Sequence, residues 1–196
     1  MRDDDKPTFF DDLDATRTHA WALLARGVAD RRSGFHTPTL VTVSLDSAPD
    51  ARTVVLRACN VQERTLRFHT DARSGKVAEI AREPRVLVHA YDFKSKAQIR
   101  LEGRARVMDA TSDVARTAWA ASHEMSRLCY AQACPPGAPI EAPELGELRD
   151  ADGERNFNVI LVEITAFEWL YLFHAGHRRA RFEWTSGEWR GRWLAP

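Results

Sequence analysis

Three segments between residues 52 and 103 decide the reading of this chain: Arg52-Thr-Val-Val-Leu-Arg57, Phe68-His-Thr-Asp-Ala-Arg-Ser-Gly-Lys76 and Gln98-Ile-Arg-Leu-Glu-Gly103. Basic and hydroxyl side chains recur at the ends of otherwise apolar, β-branched strands. A dianion needs charge-assisted donors on rigid elements, and a ring attached to it needs an apolar wall, so the pattern points to a bound phosphate ester.

Outward from these segments the periodicity alternates between strand and short helix. Residues 11–32 place Leu13, Trp21, Leu24 and Val28 near one helical face, with Asp11 or Asp12 as cap and Ser33-Gly34 as stop. Thr39–Leu45 reads as a strand, and the turn Asp46–Asp50 returns the chain into a strand over Arg52–Cys59 as a hairpin. Thr65–Thr70, Arg85–Tyr91 and Gln98–Met108 read as further strands, with a short helix from Ser74 to Arg82. A second helix is expected over Ser112–Leu128. The Pro-rich stretch Cys134–Pro143 can sustain neither helix nor central strand and is expected to be an exposed loop. Phe157–Phe173 reads as one long strand, or two with a bend near Thr165-Ala166, and Arg179–Trp184 with Trp189–Trp193 closes the chain as a hairpin about Ser186-Gly187. Many strands without βαβ alternation predict a mainly β fold, a closed or nearly closed antiparallel barrel with helices outside, in one domain over residues 1–196.

Composition excludes several classes. The 28 Lys+Arg balance 28 Asp+Glu in 196 residues, so no global field draws the chain to nucleic acid or an anionic membrane, and any anion site is local. No apolar run reaches the ~18 residues of a membrane span and the acidic start is unlike a secretory signal, which predicts a cytoplasmic location. Three cysteines, Cys59, Cys129 and Cys134, without a Cys-x-x-Cys read as reduced thiols; Cys129 and Cys134 with His123 match no zinc spacing, so no metal is expected. His174 and His177 read as surface or core histidines, and Trp184, Trp189 and Trp193 as core.

The three opening segments, in their order and spacing, resemble the pyridoxamine phosphate oxidase family of FMN-binding split barrels, well over residues 35–130 and in outline over the last 30. The resemblance implies FMN as cofactor, with Arg52 and Lys76 on its phosphate and Ser74 close by. It implies flavin contacts along Thr53, Val54, Val55, Leu56 and Arg57 and at His69 and Thr70. Gln98 would meet the polar edge of the ring, whose alternating acceptors and donors suit an amide. It also implies a homodimer with FMN between subunits, Tyr171 where the family has a flavin-contacting Trp, and Arg181 reaching the flavin from the partner subunit. A helix beginning at Ser74 adds free backbone N–H groups to the cations.

Departures redirect the function. The family's Ser-Arg-Lys is Ser74-Gly75-Lys76 here, with Arg73 as the neighbouring replacement, and its strand-ending Lys is Arg57. The Tyr and Arg that grip the oxidase's substrate phosphate fall on Ala118 and Ser122, and its Arg-Leu-His-Asp-Arg is His177-Arg-Arg-Ala-Arg181. The expectation is an FMN-dependent oxidoreductase with a different small-molecule substrate, in a pocket bordered by Arg57, Arg181 and His177. The alternative is a non-catalytic FMN-binding protein, a flavin store or redox sensor. A deazaflavin-dependent reductase and a haem-handling protein share the fold class, and the phosphate cluster favours FMN over both.

Overall fold

Nine strands form one antiparallel sheet in the computed structural model, which describes residues 6–141 and 153–196. They are β1 (Thr39–Val43), β2 (Pro49–Thr53), β3 (Leu56–Asn60), β4 (Thr65–Asp71), β5 (Arg85–Asp92), β6 (Ala97–Met108), β7 (Phe157–Tyr171), β8 (Arg178–Thr185) and β9 (Glu188–Leu194). The order is β2-β1-β5-β6-β7-β4-β3, with β8 on β7 and β9 on β8. This is the expected barrel.

β7 is the hub. One edge pairs with β6 from Val159 to Tyr171; the other pairs with β4 over Phe157–Glu163 and then with β8 over Ala166–Tyr171. The change of partner falls at a bulge, where Glu102 faces Ala166 and Gly103 faces Ile164, leaving Thr165 as the extra residue. The bend expected near Thr165-Ala166 is this bulge within a single strand.

The two ends of the sheet are joined by the chain itself, since β2 runs into β3 through Val54-Val55. The reading of 52–59 as one strand is corrected here. Val54 N–H donates to the Pro38 carbonyl and Leu56 N–H to the His36 carbonyl, each at 2.9 Å, so the chain crosses between strands instead of extending one ladder. Inside, Leu40, Leu56, Phe68, Leu101, Phe167 and Trp169 are fully buried, and α1 (Leu13–Ala29) adds Ala20, Trp21 and Leu24 to the same core. Asp12 caps α1, its Oδ1 accepting from Ala15 N–H at 2.6 Å.

α2 (Gly75–Arg82) follows β4. The single helix expected over 112–128 is instead α3 (Asp113–Ala120) and α4 (Glu124–Arg127), the latter running into a 3₁₀ turn at Leu128–Tyr130. The break is local: the Ser122 hydroxyl donates to the Ala118 carbonyl at 2.8 Å, and His123 Nδ1 accepts from Met125 N–H at 3.2 Å to start a new turn. α3 covers a second, smaller core of Ala115, Ala118, Trp119, Phe157 and Val159. Of the Pro-rich loop, residues 134–141 are mostly exposed, and 142–152 lie outside the described residues.

The terminal hairpin turns at Ser186 (φ 55°) and Gly187 (φ 83°) as expected. Trp189 packs against Trp21 and Phe167, but Trp193 is 39% exposed, because β9 is the outermost strand and lies beyond β8 from the core. Trp184 is half-buried beneath the Arg64 guanidinium. No helix among the described residues is long and apolar enough to cross a membrane.

Two features invite tests. A Cβ on Gly103 would lie 2.4 Å from the Glu163 carbonyl oxygen. Gly103→Ala should therefore cost about 1–3 kcal/mol in urea unfolding; an unchanged midpoint would show that the bulge can relax. Buried Asp92 accepts from Gly34, Lys94 and Ser95 N–H and from the Ser33 hydroxyl. Burial alone would raise its pKa, but these hydrogen bonds outweigh it and hold the carboxyl below its usual value. Its stabilisation is present above the unfolded pKa of ~3.9 and lost as pH falls through the lower folded value. Asp92→Asn should flatten the acid limb of the stability curve, and an unaltered limb would exclude this latch.

Candidate functional site

The β2–β3 crossing, the end of β4, the start of α2 and the 3₁₀ turn enclose a cavity of about 290 Å³. Thr53, Val54, Val55 and Arg57 come from the crossing, His69, Thr70 and Asp71 from β4, Ser74 and Lys76 from α2, and Cys129, Tyr130 and Pro136 from the far wall. Lys76 Nζ donates to Ser74 Oγ at 2.8 Å and lies 3.4 Å from Thr70 Oγ1, and the two hydroxyls are 3.1 Å apart. Lys76 forms no ion pair among the described residues; burial first, and then the charge of Arg52, lower its pKa. Ser74 stands at the N-cap of α2 yet makes no side-chain cap bond, so its hydroxyl faces the ammonium rather than the helix. A cation held where charge is disfavoured, at a helix N-terminus, is a cradle for an anion.

Beside the cradle, His69 Nε2 and Arg57 Nε are buried with no hydrogen-bond partner. Burial, followed by the charges of Arg57 and Arg67, pushes the His69 pKa down to about 3, so the ring is neutral. Burial likewise pushes the Tyr130 phenol up to about 12, leaving it a neutral hydrogen-bonding group. Orphaned polar atoms of this kind call for a polar ligand. An anionic tail at Lys76 and a ring with hydrogen-bonding edges beside Arg57 and His69 fit the residues present.

Not every expected residue converges here. Leu56 is fully buried in the barrel core. The Arg52 guanidinium is turned to Asp50, Glu79 and Thr42, with Glu79 Oε2 at 2.9 Å, and acts on the cavity only through its charge. Arg73, expected to replace the missing cation, instead chelates Asp71 at 2.8 Å and donates to the Gln132 and Ala133 carbonyls, clipping the far wall to β4. Gln98, Tyr171 and Arg181 do not line the cavity. Tyr171 is packed among Phe9, Phe10, Trp169 and Phe173, and Arg181 is bound by Glu102, Glu168 and Glu183. His177 is exposed on the β7–β8 turn, its Nδ1 accepting from Phe173 N–H.

Cys129, Tyr130 and Pro136 were missed by sequence reasoning because no local signal marks them. They reach the cavity through the Arg73 clip, 59 and 60 residues away in sequence from the carbonyls it binds.

Residues 18–109 match the family model described as the FMN-binding domain of pyridoxamine 5'-phosphate oxidase. Over 139 residues the chain is 30% identical to pyridoxine/pyridoxamine 5'-phosphate oxidase 2 of Arabidopsis thaliana, an alignment covering 66% of this chain and 69% of that protein. It spans smaller shares of other curated oxidases, 65% of one from Thermobifida fusca and 52% of one from Burkholderia mallei. Among solved structures, a pyridoxamine 5'-phosphate oxidase-related, FMN binding protein from Nostoc punctiforme superposes with a TM-score of 0.74 at 21% identity, covering 92% of this chain and 96% of that one. PhzG from Burkholderia lata, solved with tetrahydrophenazine-1-carboxylic acid, superposes at 0.68 and 18% identity over 98% and 95%. The cofactor that goes with the matched domain is FMN, and the chain belongs to the pyridoxamine 5'-phosphate oxidase-related family of FMN-binding split barrels.

Proposed function

We propose that this protein is an FMN-dependent oxidoreductase acting on a small molecule other than pyridoxamine phosphate, working in the cytoplasm as a single-domain homodimer with FMN at the subunit interface. The observation that carries the reading is the Lys76–Ser74–Thr70 cluster, a half-buried cation with two buried hydroxyls and no ion-pair partner among the described residues, at the start of α2. These three groups hold the phosphate, with Arg52 contributing charge from behind, and Thr53, Val54, Val55, Arg57 and His69 border the ring. Bound FMN supplies the redox chemistry, while the protein orients it and sets the field around it.

A cavity of about 290 Å³ is at the small end for a ligand site, which supports a second wall from a partner subunit. Thr39, Val41, Val43 and Leu87 are half-buried on the outer face of the sheet, and the strand register places Gln98 and Arg181 on that same face. A second copy docking there brings Gln98 and Arg181 to the flavin. Tyr171, on the opposite face, supports the end of β7 with which Gln98 of β6 and Arg181 of β8 are paired.

Ala118 is buried in the small core and Ser122 is tied to its carbonyl, so neither supplies the substrate-phosphate grip of the oxidase resemblance. This favours a different substrate. It also supports the second reading, a flavin-binding protein without turnover.

The purified chain should show flavin absorbance and release FMN on denaturation; a colourless protein that takes up no FMN would overturn both readings. Reduction of the bound flavin by NADH or NADPH, with reoxidation over many cycles, supports the enzyme, and a flavin inert to both nicotinamides and to a panel of amines and alcohols supports the binding protein. Lys76→Met should weaken FMN binding by about 1.5–3 kcal/mol in a fluorescence titration, because a charge-assisted contact is lost. The folded state depresses the Lys76 pKa, so the substitution should leave the cofactor-free protein equally or more stable. Arg52→Ala should behave differently, destabilising the fold by about 3 kcal/mol because it strands buried Glu79; weaker FMN binding at full stability would instead put Arg52 on the phosphate.

A further inference from the structure

At the opposite end of β4 from the flavin cavity, α1 and the terminal hairpin enclose a groove of about 820 Å³, ample for a small molecule. One wall is a stripe of α1, where Asp14, Arg17, Trp21 and Ala25 recur at intervals of three or four residues and so share a helical face. Ala22 and Ala25 end at Cβ and leave the space beside them open. The other wall is Trp184 of β8 with Glu188 and Trp189 of β9, and the β3–β4 turn closes one side with Val61.

The indoles meet at steep angles instead of stacking on one another: Trp21 and Trp189 at 56° with centroids 6.2 Å apart, Trp184 and Trp189 at 69° and 5.5 Å. They form an aromatic corner. A cation already uses it, since the Arg64 guanidinium lies 4.0 Å from the centroid of the Trp184 ring while its charge is matched by Glu163. Two carboxylates, Asp14 and Glu188, line the groove against one guanidinium, Arg17. Their ion pairs, Asp14 to Arg17 and Glu188 to Arg190, have exposed carboxylates and contribute little, so both acids are free to exchange partners. Trp21 is only 3% exposed, yet its Nε1–H has no hydrogen-bond partner among the described residues, and a buried indole N–H ordinarily finds one.

We infer that this groove binds a small organic ammonium ion that also carries a hydrogen-bond acceptor. The ring faces and the net negative lining attract the cation, and the Trp21 N–H is a donor for the acceptor. An anion would meet the two carboxylates, and a purely apolar ligand would leave the Trp21 N–H unpaired. Trp184 stands two residues from the core residue Phe182 on β8, on the face opposite to Arg181. The groove therefore opens away from the outer face on which a second copy is proposed to dock, and it does not depend on the flavin reading.

Calorimetric titration of the FMN-loaded protein with three probes of matched shape tests it: choline, its uncharged counterpart 3,3-dimethyl-1-butanol, and the anion 3,3-dimethylbutyrate. Choline should bind about tenfold tighter than the alcohol, and the anion weakest of the three. Trp189→Leu keeps apolar volume but removes a ring, and should bring choline down to the level of the alcohol. Glu188→Gln changes an exposed side chain and carries the test should the leucine variant fail to fold; it should weaken choline by about twofold to fivefold. FMN affinity should be unaltered in both variants, because neither residue lines the flavin cavity. Choline binding no tighter than the alcohol, or weaker than the anion, overturns the inference. So does choline binding that survives both substitutions unchanged, which would place the cation elsewhere.

Discussion

The arrangement depends on one edge of β7 serving two partners. A strand edge can pair with only one neighbour at any point, so β4 must stop at Glu163 before β8 begins at Ala166. Thr165 takes up the register change, and the Ile164 N–H between the two ladders is satisfied by the Arg64 carbonyl at 2.8 Å. On the other edge β6 runs unbroken past both regions, with Gly103 small enough for close approach to the Glu163 carbonyl. The barrel is thereby split into a β3–β4 side and a β8–β9 side, while one apolar interior, containing both Phe68 and Phe167, passes between them.

The split positions the cavity. β4 ends at Asp71 opposite Phe157, the first residue of β7, so the α2 cradle and the small α3 core are built at the same end of the barrel. The Arg73–Asp71 pair then ties the segment after α4 across that end. A site assembled this way has walls from β2–β3, β4, α2 and residues 129–136, each held by hydrogen bonds formed outside the cavity.

Charge is distributed unequally. On the outer face of β6–β9, Arg181, Glu102, Glu168, Arg179 and Glu183 satisfy one another; hydrogen bonds from Arg181 lower the pKa of Glu102, and those from Glu102 and Glu183 raise that of Arg181. Such exposed or half-exposed networks add little stability individually and chiefly keep the face polar and ordered. Arg57 and Lys76, which line the cavity, have no carboxylate partner among the described residues. Their unpaired charge stands where an anionic ligand would offset it.

Local chemistry was enough to read most elements from the sequence. Alternation in Thr65–Thr70, the Ser186-Gly187 turn, the Asp12 cap and the long apolar run of β7 each encode their structure within a few residues, and Ser74, Lys76, Thr70 and His69 stand close enough in sequence to be recognised as one group. Tertiary structure alone decided the rest, because it depends on partners distant in the chain. The carbonyls of His36 and Pro38 turn Val54-Val55 into a crossing, Glu79 draws Arg52 away from the cavity, and Asp71 with the 132–133 carbonyls does the same to Arg73. A sequence specifies where a cation stands along a strand, but the carboxylates that the fold brings beside it determine whether that cation is already neutralised or left to bind a ligand.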